Sequence, residues 1–129
     1  MEIEVLTICD NAQNYQDKLV VVGTFNTIFA PGCPIVSPSF SLACRFRYAV
    51  GESGEKIFNL TFKDPHGKDV LPSIQAKMEV PSNFEEYYVS NLIIGFNSIN
   101  FTQYGKYLIN IETEGLHKEI PLFVRSSSK

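Results

Sequence analysis

Tyr107-Leu108-Ile109-Asn110-Ile111-Glu112-Thr113-Glu114-Gly115-Leu116-His117-Lys118-Glu119-Ile120-Pro121-Leu122-Phe123-Val124 decides the fold class. Tyr107, Ile109 and Ile111 alternate with Leu108, Asn110 and Glu112. Beyond Glu114-Gly115, Ile120, Leu122 and Val124 alternate with Glu119, Pro121 and Phe123. Alternation on both sides of a tight turn is the pattern of an antiparallel hairpin. Closing the turn on Glu114-Gly115 sets the register. Thr113 then opposes Leu116, Ile109 opposes Ile120, Tyr107 opposes Leu122, and Leu108 opposes Pro121 on the other face. A proline donates no ladder bond, so the final strand is expected to have an unpaired outer edge near Pro121, where a partner strand could add.

A second hairpin is read the same way. Phe58, Leu60 and Phe62 line one face of its first strand, and Val70, Ile74, Ala76, Met78 and Val80 line one face of its return. Asp64-Pro65-His66-Gly67 fits a type I turn, with Asp first, Pro second and Gly fourth. A left-handed bulge at Gly67 sets Asp64 against Lys68, Phe62 against Val70 and Phe58 against Ile74. A simple four-residue loop would set Phe62 against Asp69 and put the apolar sets on opposite faces, so the bulged turn is preferred. Pro72 marks the return as an edge strand or breaks it.

The rest of the chain follows the same period. Residues 2–9 read as a first strand, and Asp10 is expected to cap a turn over 11–17. Residues 18–29 read as one long strand, central because both its faces are apolar, with a bulge at Gly23. Three prolines and a glycine make 30–38 a rigid crossing loop. In 40–48, Phe40, Leu42, Cys44, Phe46 and Tyr48 share one face, and Ser41, Ala43, Arg45 and Arg47 share a solvated one. Residues 82–86 are expected to open a short helical turn, residues 87–97 to form a strand, and 126–129 to fray. The pattern predicts an all-β, antiparallel two-sheet sandwich of about eight strands with little or no helix, as one domain over 1–125. A closed barrel is the structural alternative; the proline-rich loop favours the sandwich, because it reads as a crossing between sheets.

Composition bounds what such a domain does. The chain has 129 residues, a net charge of −3 and scattered Lys and Arg, which argues against nucleic acid. No run approaches the roughly 18–20 apolar residues of a membrane helix. Met1-Glu2-Ile3-Glu4 lacks the positive start of a secretory signal, so a cytoplasmic protein is expected. Cys9, Cys33 and Cys44 form no C-x-x-C pair and are read as free thiols. Cys9 and Cys44 lie in apolar runs, whereas Cys33 lies in the Pro-Gly loop and is the more exposed.

No residue cluster reaches a catalytic or cofactor motif, and no catalytic, cofactor-binding or metal residue is assigned. His66 sits in a turn, and His117 faces Glu112, which together are too few ligands for zinc. Ser53 lies in a Gly-x-x-Gly context without the strand-to-helix elbow that activates a serine. Cys9 lies beside Asp10, which makes the thiol less acidic and a poorer nucleophile. Arg45 and Arg47 share a face and could grip a carboxylate or phosphate; the simpler reading gives them acidic cross-strand partners. Phe84, Tyr87 and Tyr88 form either an aromatic docking patch or core anchors.

Cys9-Asp10 with Ala12, Lys18-Leu19 leading to Gly23-x-Phe25, Pro34 and Pro38, Arg45-x-Arg47, Asp64-Pro65-x-Gly67 and Gly105-x-Tyr107 together resemble a family of small bacterial proteins of unknown function. The resemblance spans nearly the whole chain and implies a bacterial sandwich, with no activity to transfer. More loosely, Phe101 to Val124 looks like the last strands of immunoglobulin- and macroglobulin-like sandwiches, with Tyr107 where a tyrosine corner would begin the penultimate strand. The expected function is a non-enzymatic binding or assembly module that takes a protein partner or self-associates as a homodimer, without a cofactor. The alternative is a small-ligand binder or enzyme with its site at one end of the sandwich, near Pro31–Ser37 or Asp64–Lys68.

Overall fold

The computed structural model of the chain describes residues 1–127. Among them lie eleven strands and no helix. In chain order these are β1 (Glu2–Tyr15), β2 (Lys18–Thr24), β3 (Thr27–Ala30), β4 (Ile35–Val36), β5 (Phe40–Ala49), β6 (Gly54–Lys63), β7 (Ile74–Val80), β8 (Tyr87–Phe96), β9 (Asn100–Phe101), β10 (Gly105–Thr113) and β11 (Leu116–Ser126). They fall into two compact units, each assembled from separated stretches of chain.

The first unit holds Met1–Phe25, Phe40–Lys56 and Lys77–Phe96. Its sheet is antiparallel in the order β2-β1-β5-β8. The apolar face of β5 is buried as expected, at Phe40, Leu42, Cys44, Phe46 and Tyr48, but the face expected to be solvated is partly covered, with Ala43 fully buried. Phe40 stacks near Phe96 at 5.1 Å and meets Phe25 edge-on at 6.0 Å, a preferred aromatic geometry. Each such ring taken out of water is worth about 1.5–3 kcal/mol.

β1 runs well past its expected end. It continues to Tyr15 and returns through Gln16 (φ 51°) and Asp17 (φ 63°) into β2. Two left-handed central residues make the mirror-image turn whose twist suits a tight hairpin. Asp10 therefore lies within a strand and caps no turn. Its carboxylate sits over Gly23, where a Cβ would lie 2.5 Å from Oδ2. Gly23 adopts φ +70°, but the β1–β2 pairing keeps one register from Cys9↔Thr24 to Asn11↔Val22. No residue is inserted there, so the expected bulge is absent.

The second unit holds Asn26–Ser39, Ile57–Ala76 and the chain from Asn97 onward. Its main sheet has the order β3-β11-β10-β6-β7, and β4 pairs with β9 in a two-stranded ribbon. The β10–β11 register matches the sequence pairs throughout: Thr113↔Leu116, Ile109↔Ile120, Leu108↔Pro121 and Tyr107↔Leu122. Glu114 (φ 51°) and Gly115 (φ 78°) make the turn. Tyr107, Ile109, Ile111, Leu122 and Val124 are buried, as are Phe58, Leu60 and Phe62 of β6. Phe62, Phe101 and Tyr107 form an edge-to-face cluster with centroids 5.0–6.3 Å apart.

Four expectations are corrected. The stretch 18–29 is not one central strand: it breaks at Phe25-Asn26, β2 becomes an edge of the first sheet, and β3 joins the second. Its two apolar faces misled because Val20 and Val22 are solvent-exposed. The strands are not all antiparallel, since β3 runs parallel to β11 over Phe123↔Thr27 to Ser126↔Ala30. That pairing also covers part of the outer edge expected to be free near Pro121. Finally, residues 82–86 form bends rather than a helical turn. With the split of 18–29 and the short β4 and β9, the strands number eleven rather than about eight. Ser127 donates its N–H to Ala30 carbonyl at 3.1 Å; the remainder of the tail expected to fray, 128–129, lies outside the described residues.

Candidate functional site

The largest polar cluster of the first unit is centred on Arg45. The register puts Arg45 beside Val5 of β1 and Asn91 of β8. A straight β1 from that point would carry its far end roughly 33 Å away at about 3.3 Å per residue. Instead Arg45 Nη1 donates to the Asp17 carbonyl at 3.1 Å. Asn91 Nδ2 donates to the same carbonyl at 3.2 Å and to Asn14 Oδ1 at 3.0 Å. The β1–β2 hairpin therefore folds back across its own sheet, and Arg45 and Asn91 pin its tip. Ala43, on that same side of β5, is fully buried.

Arg45 makes two further bonds. Nε bonds Glu4 Oε1 at 3.1 Å, and Nη1 also reaches Asn91 Oδ1 at 2.9 Å. Arg47 pairs with Glu2 and lies 3.5 Å from Glu4 Oε2, with its guanidinium over the Tyr87 ring at 6.0 Å. The two arginines thus take the acidic cross-strand partners anticipated for them. A planar guanidinium held at Nε and Nη1 by Glu4, Asp17 and Asn91 acts as a clamp for the hairpin tip.

The other candidates are spread apart. Asp64 Oδ1 accepts the backbone N–H of His66 at 2.8 Å and of Lys68 at 2.9 Å. Those N–H bonds, Lys68 first, hold the Asp64 carboxyl below its ordinary value. Asp64 N–H bonds the Lys68 carbonyl, Val70 N–H bonds the Phe62 carbonyl, and Gly67 takes φ +82°. This is the expected bulged turn. His117 lies opposite Glu112, but its nearest carboxylate is that of Glu119, at 3.9 Å. Cys9 and Cys44 are buried and Cys33 is half-buried, and all three are free thiols. Burial pushes the Cys44 thiol up to about 12. Burial is also the main cause that raises Cys9, with Asp10 adding to it. Phe84 and Tyr88 pack together at 5.8 Å, with Tyr88 near Tyr48, whereas Tyr87 is exposed. No group of three or more His, Cys, Asp or Glu side chains among the described residues is placed to hold a metal.

Tyr107 forms the corner contact that the sequence suggested. Its hydroxyl donates to the Gln103 carbonyl at 2.8 Å, a few residues upstream, at the start of β10. Gly105 (φ +135°) sits against the other turn: a Cβ there would lie 2.8 Å from Pro65 Cγ.

Sequence reasoning missed an open hollow in the second unit, about 680 Å³. Phe29, Tyr104, Phe123, Lys106 and Arg125 line it. Phe29 is 64% exposed and Tyr104 39%. Tyr104 is anchored by its hydroxyl, which donates to the Ala30 carbonyl at 3.0 Å. The Arg125 guanidinium stacks over Phe123 at 4.7 Å. Neither Lys106 nor Arg125 has a carboxylate partner among the described residues. The hollow forms only once β3 docks on β11, and that pairing leaves no local signal.

The fold is that of an all-β protein. The chain belongs to a family of unknown function, DUF6941, whose model matches residues 4–125. A search of the curated proteins finds no match. No helix among the described residues is long and apolar enough to cross a membrane.

Proposed function

We propose that the protein is a non-enzymatic binding module that captures a protein partner through the hollow around Phe29. The exposure of Phe29 beside two cations that lack a carboxylate partner among the described residues carries this reading. A ring left in water offers about 1.5–3 kcal/mol to whatever covers it. Lys106 and Arg125 then select for charge and steer association. The partner chemistry that fits is an apolar side chain flanked by carboxylates.

The same reading takes the chain as one immunoglobulin-like β-sandwich domain of a bacterial, cytoplasmic protein. The alternating burial along β5, β6 and β10 and the Tyr107 corner contact support the sandwich. Three free thiols support a reducing compartment. A single cooperative unfolding transition would support one domain, and two separate transitions would oppose it.

The test is a titration of isotope-labelled protein with a peptide carrying leucine or phenylalanine between aspartates. Amide shifts should cluster at Phe29, Lys106, Phe123 and Arg125, weaken with salt and vanish in Phe29→Ser. Shifts scattered elsewhere, or retained in that variant, would overturn the proposal.

A further inference from the structure

The strand edges of the two sheets are unequally protected. β7 exposes Gln75, Lys77 and Glu79 along one side and ends at Pro81. β3 is four residues long. β8 has Met78 of β7 against it, bonded to Ser90 Oγ at 3.4 Å. Charge, shortness and cover are the usual devices that blunt an edge. β2 has only Lys18, at its first position.

β2 reads Lys18-Leu19-Val20-Val21-Val22-Gly23-Thr24 and pairs with β1 alone. It carries one charge, at its end, and no proline. Tyr15, Val20 and Val22 share the outward face of the hairpin and are 59%, 41% and 56% exposed. This is a strand of β-branched residues with an unguarded edge and an apolar flank.

We propose that β2 pairs antiparallel with β2 of a second copy of this chain, joining two four-stranded sheets across a two-fold axis. The hairpin geometry and the length of the strand together select the register. In a two-residue hairpin the residues flanking the turn, Tyr15 and Lys18, exchange backbone bonds, and every second pair beyond does likewise. Lys18, Val20 and Val22 therefore turn their backbone groups toward β1. Leu19 and Val21 turn theirs outward. An axis through Val21, an outward residue at the midpoint of the strand, pairs all seven residues of β2 with the other copy. Val21 then faces its own copy, Val20 faces Val22 of the other chain twice, and Lys18 faces Thr24. The two lysines lie at opposite ends, so no like charges meet. A parallel pairing in register would stack Lys18 on Lys18, and an axis at Val20 would leave Gly23 and Thr24 without a partner in the other β2. The palindromic Val20-Val21-Val22 is thus self-complementary, as a two-fold interface requires.

This inference rests on the reading of the protein as an assembly module but uses a surface other than the hollow. The experiment is sedimentation velocity of the wild type, Val20→Lys and Val21→Pro over roughly 1–200 µM. The wild type should dimerise within that range, because one strand edge buries less than the roughly 800 Å² per partner of a standard interface. Val20→Lys, at an exposed position, should weaken the dimer by about tenfold or more, since each copy of the substitution faces a valine. Val21→Pro removes an N–H that β1 does not use and should give monomers; circular dichroism checks that both variants fold. A wild type that stays monomeric throughout, or a dimer that both folded variants leave unchanged, would overturn the proposal. Phe29→Ser should leave the dimer intact, so failure at β2 and failure at the hollow are read separately.

Discussion

Replacing Gly105 by alanine should be among the most damaging single-methyl changes in the second unit. Gly105 has φ +135°, far from the small left-handed region open to other residues. Holding a side chain there carries about 1–3 kcal/mol of backbone strain. The new Cβ also meets Pro65, at 2.8 Å from Cγ and 3.1 Å from Cβ. Pro65 cannot easily retreat, because the turn around it is held by Asp64 Oδ1 on the N–H groups of His66 and Lys68 and by Gly67 N–H on the Asp64 carbonyl. Overpacking against so fixed a neighbour adds about 1–3 kcal/mol. The expected loss is therefore about 2–6 kcal/mol, a large share of the roughly 5–15 kcal/mol of a typical domain. Gly51→Ala is the internal control: its φ is +99°, but a Cβ there has nothing within 4 Å. The difference between the two variants isolates the Pro65 contact. Adding Pro65→Ala to Gly105→Ala removes the closer contact and should restore part of the loss, visible as coupling in a double-mutant cycle. Urea unfolding read by tyrosine fluorescence, in a chain with six Tyr and no Trp, measures the wild type, the three single variants (Gly105→Ala, Gly51→Ala and Pro65→Ala) and the double variant. If Gly105→Ala loses no more than Gly51→Ala, or the cycle shows no coupling, the packing of the Asp64 turn on the Gly105 corner is refuted.

Arg45→Ala should free the hairpin tip, raising amide exchange over residues 14–19 and lowering stability by about 1–2 kcal/mol, given its partial exposure; Arg45→Lys should not restore protection, since an ammonium cannot reach Glu4, Asp17 and Asn91 together. Pulsed iodoacetamide labelling at pH 8 should modify Cys33 before Cys9 or Cys44, because a thiol raised to about 12 has a thiolate fraction of about 1 in 10⁴ there; early labelling of Cys44 would contradict its burial. Asp64 has a folded value below its unfolded one, so its contribution is present above the ordinary carboxylate range and is lost as pH falls through the depressed value. Asp64→Asn should accordingly destabilise at pH 7 and have a smaller effect in acid, and an equal effect at both would show that the carboxylate charge is not what the turn uses.

Both tight hairpins were legible because a turn and an apolar set constrain register independently. Glu114-Gly115 and Asp64-Pro65-His66-Gly67 each allowed one pairing that kept the buried residues on one face. The stretch 18–29 defeated the same logic. Val20 and Val22 look like core residues, and nothing between Thr24 and Thr27 announces that the partner of β3 is Phe123–Ser126 at the other end of the chain. The Arg45 cluster was half legible. Alternation and opposite charge predicted acidic partners for Arg45 and Arg47. The Asp17 carbonyl and Asn14 became neighbours only through the fold-back of the β1–β2 hairpin, a tertiary event without a local pattern. The resemblance motifs gain a physical account from the same contacts: Asp10 lies over Gly23, and Pro65 packs on Gly105.

Those contacts also bear on why chemistry is hard to find in this chain. Its polar side chains with the best geometry are committed internally: Arg45 and Asn91 to the hairpin tip, Asp64 to its own turn, Tyr107 to the Gln103 carbonyl. A side chain whose donors or acceptors are filled by the backbone gives up those bonds before it can serve a ligand, and the lost bond is worth about 1 kcal/mol or more each time. What remains uncommitted is of another kind. Phe29, Tyr15, Val20 and Val22 are apolar and exposed, and Lys106 and Arg125 have no carboxylate partner among the described residues. Exposed apolar surface gains free energy by being covered, and unpaired cations gain by meeting acids. Neither supplies a nucleophile or a proton relay. The proposed reading accordingly assigns these surfaces to association, with an edge suited to a like strand and a hollow suited to an unlike, acidic one.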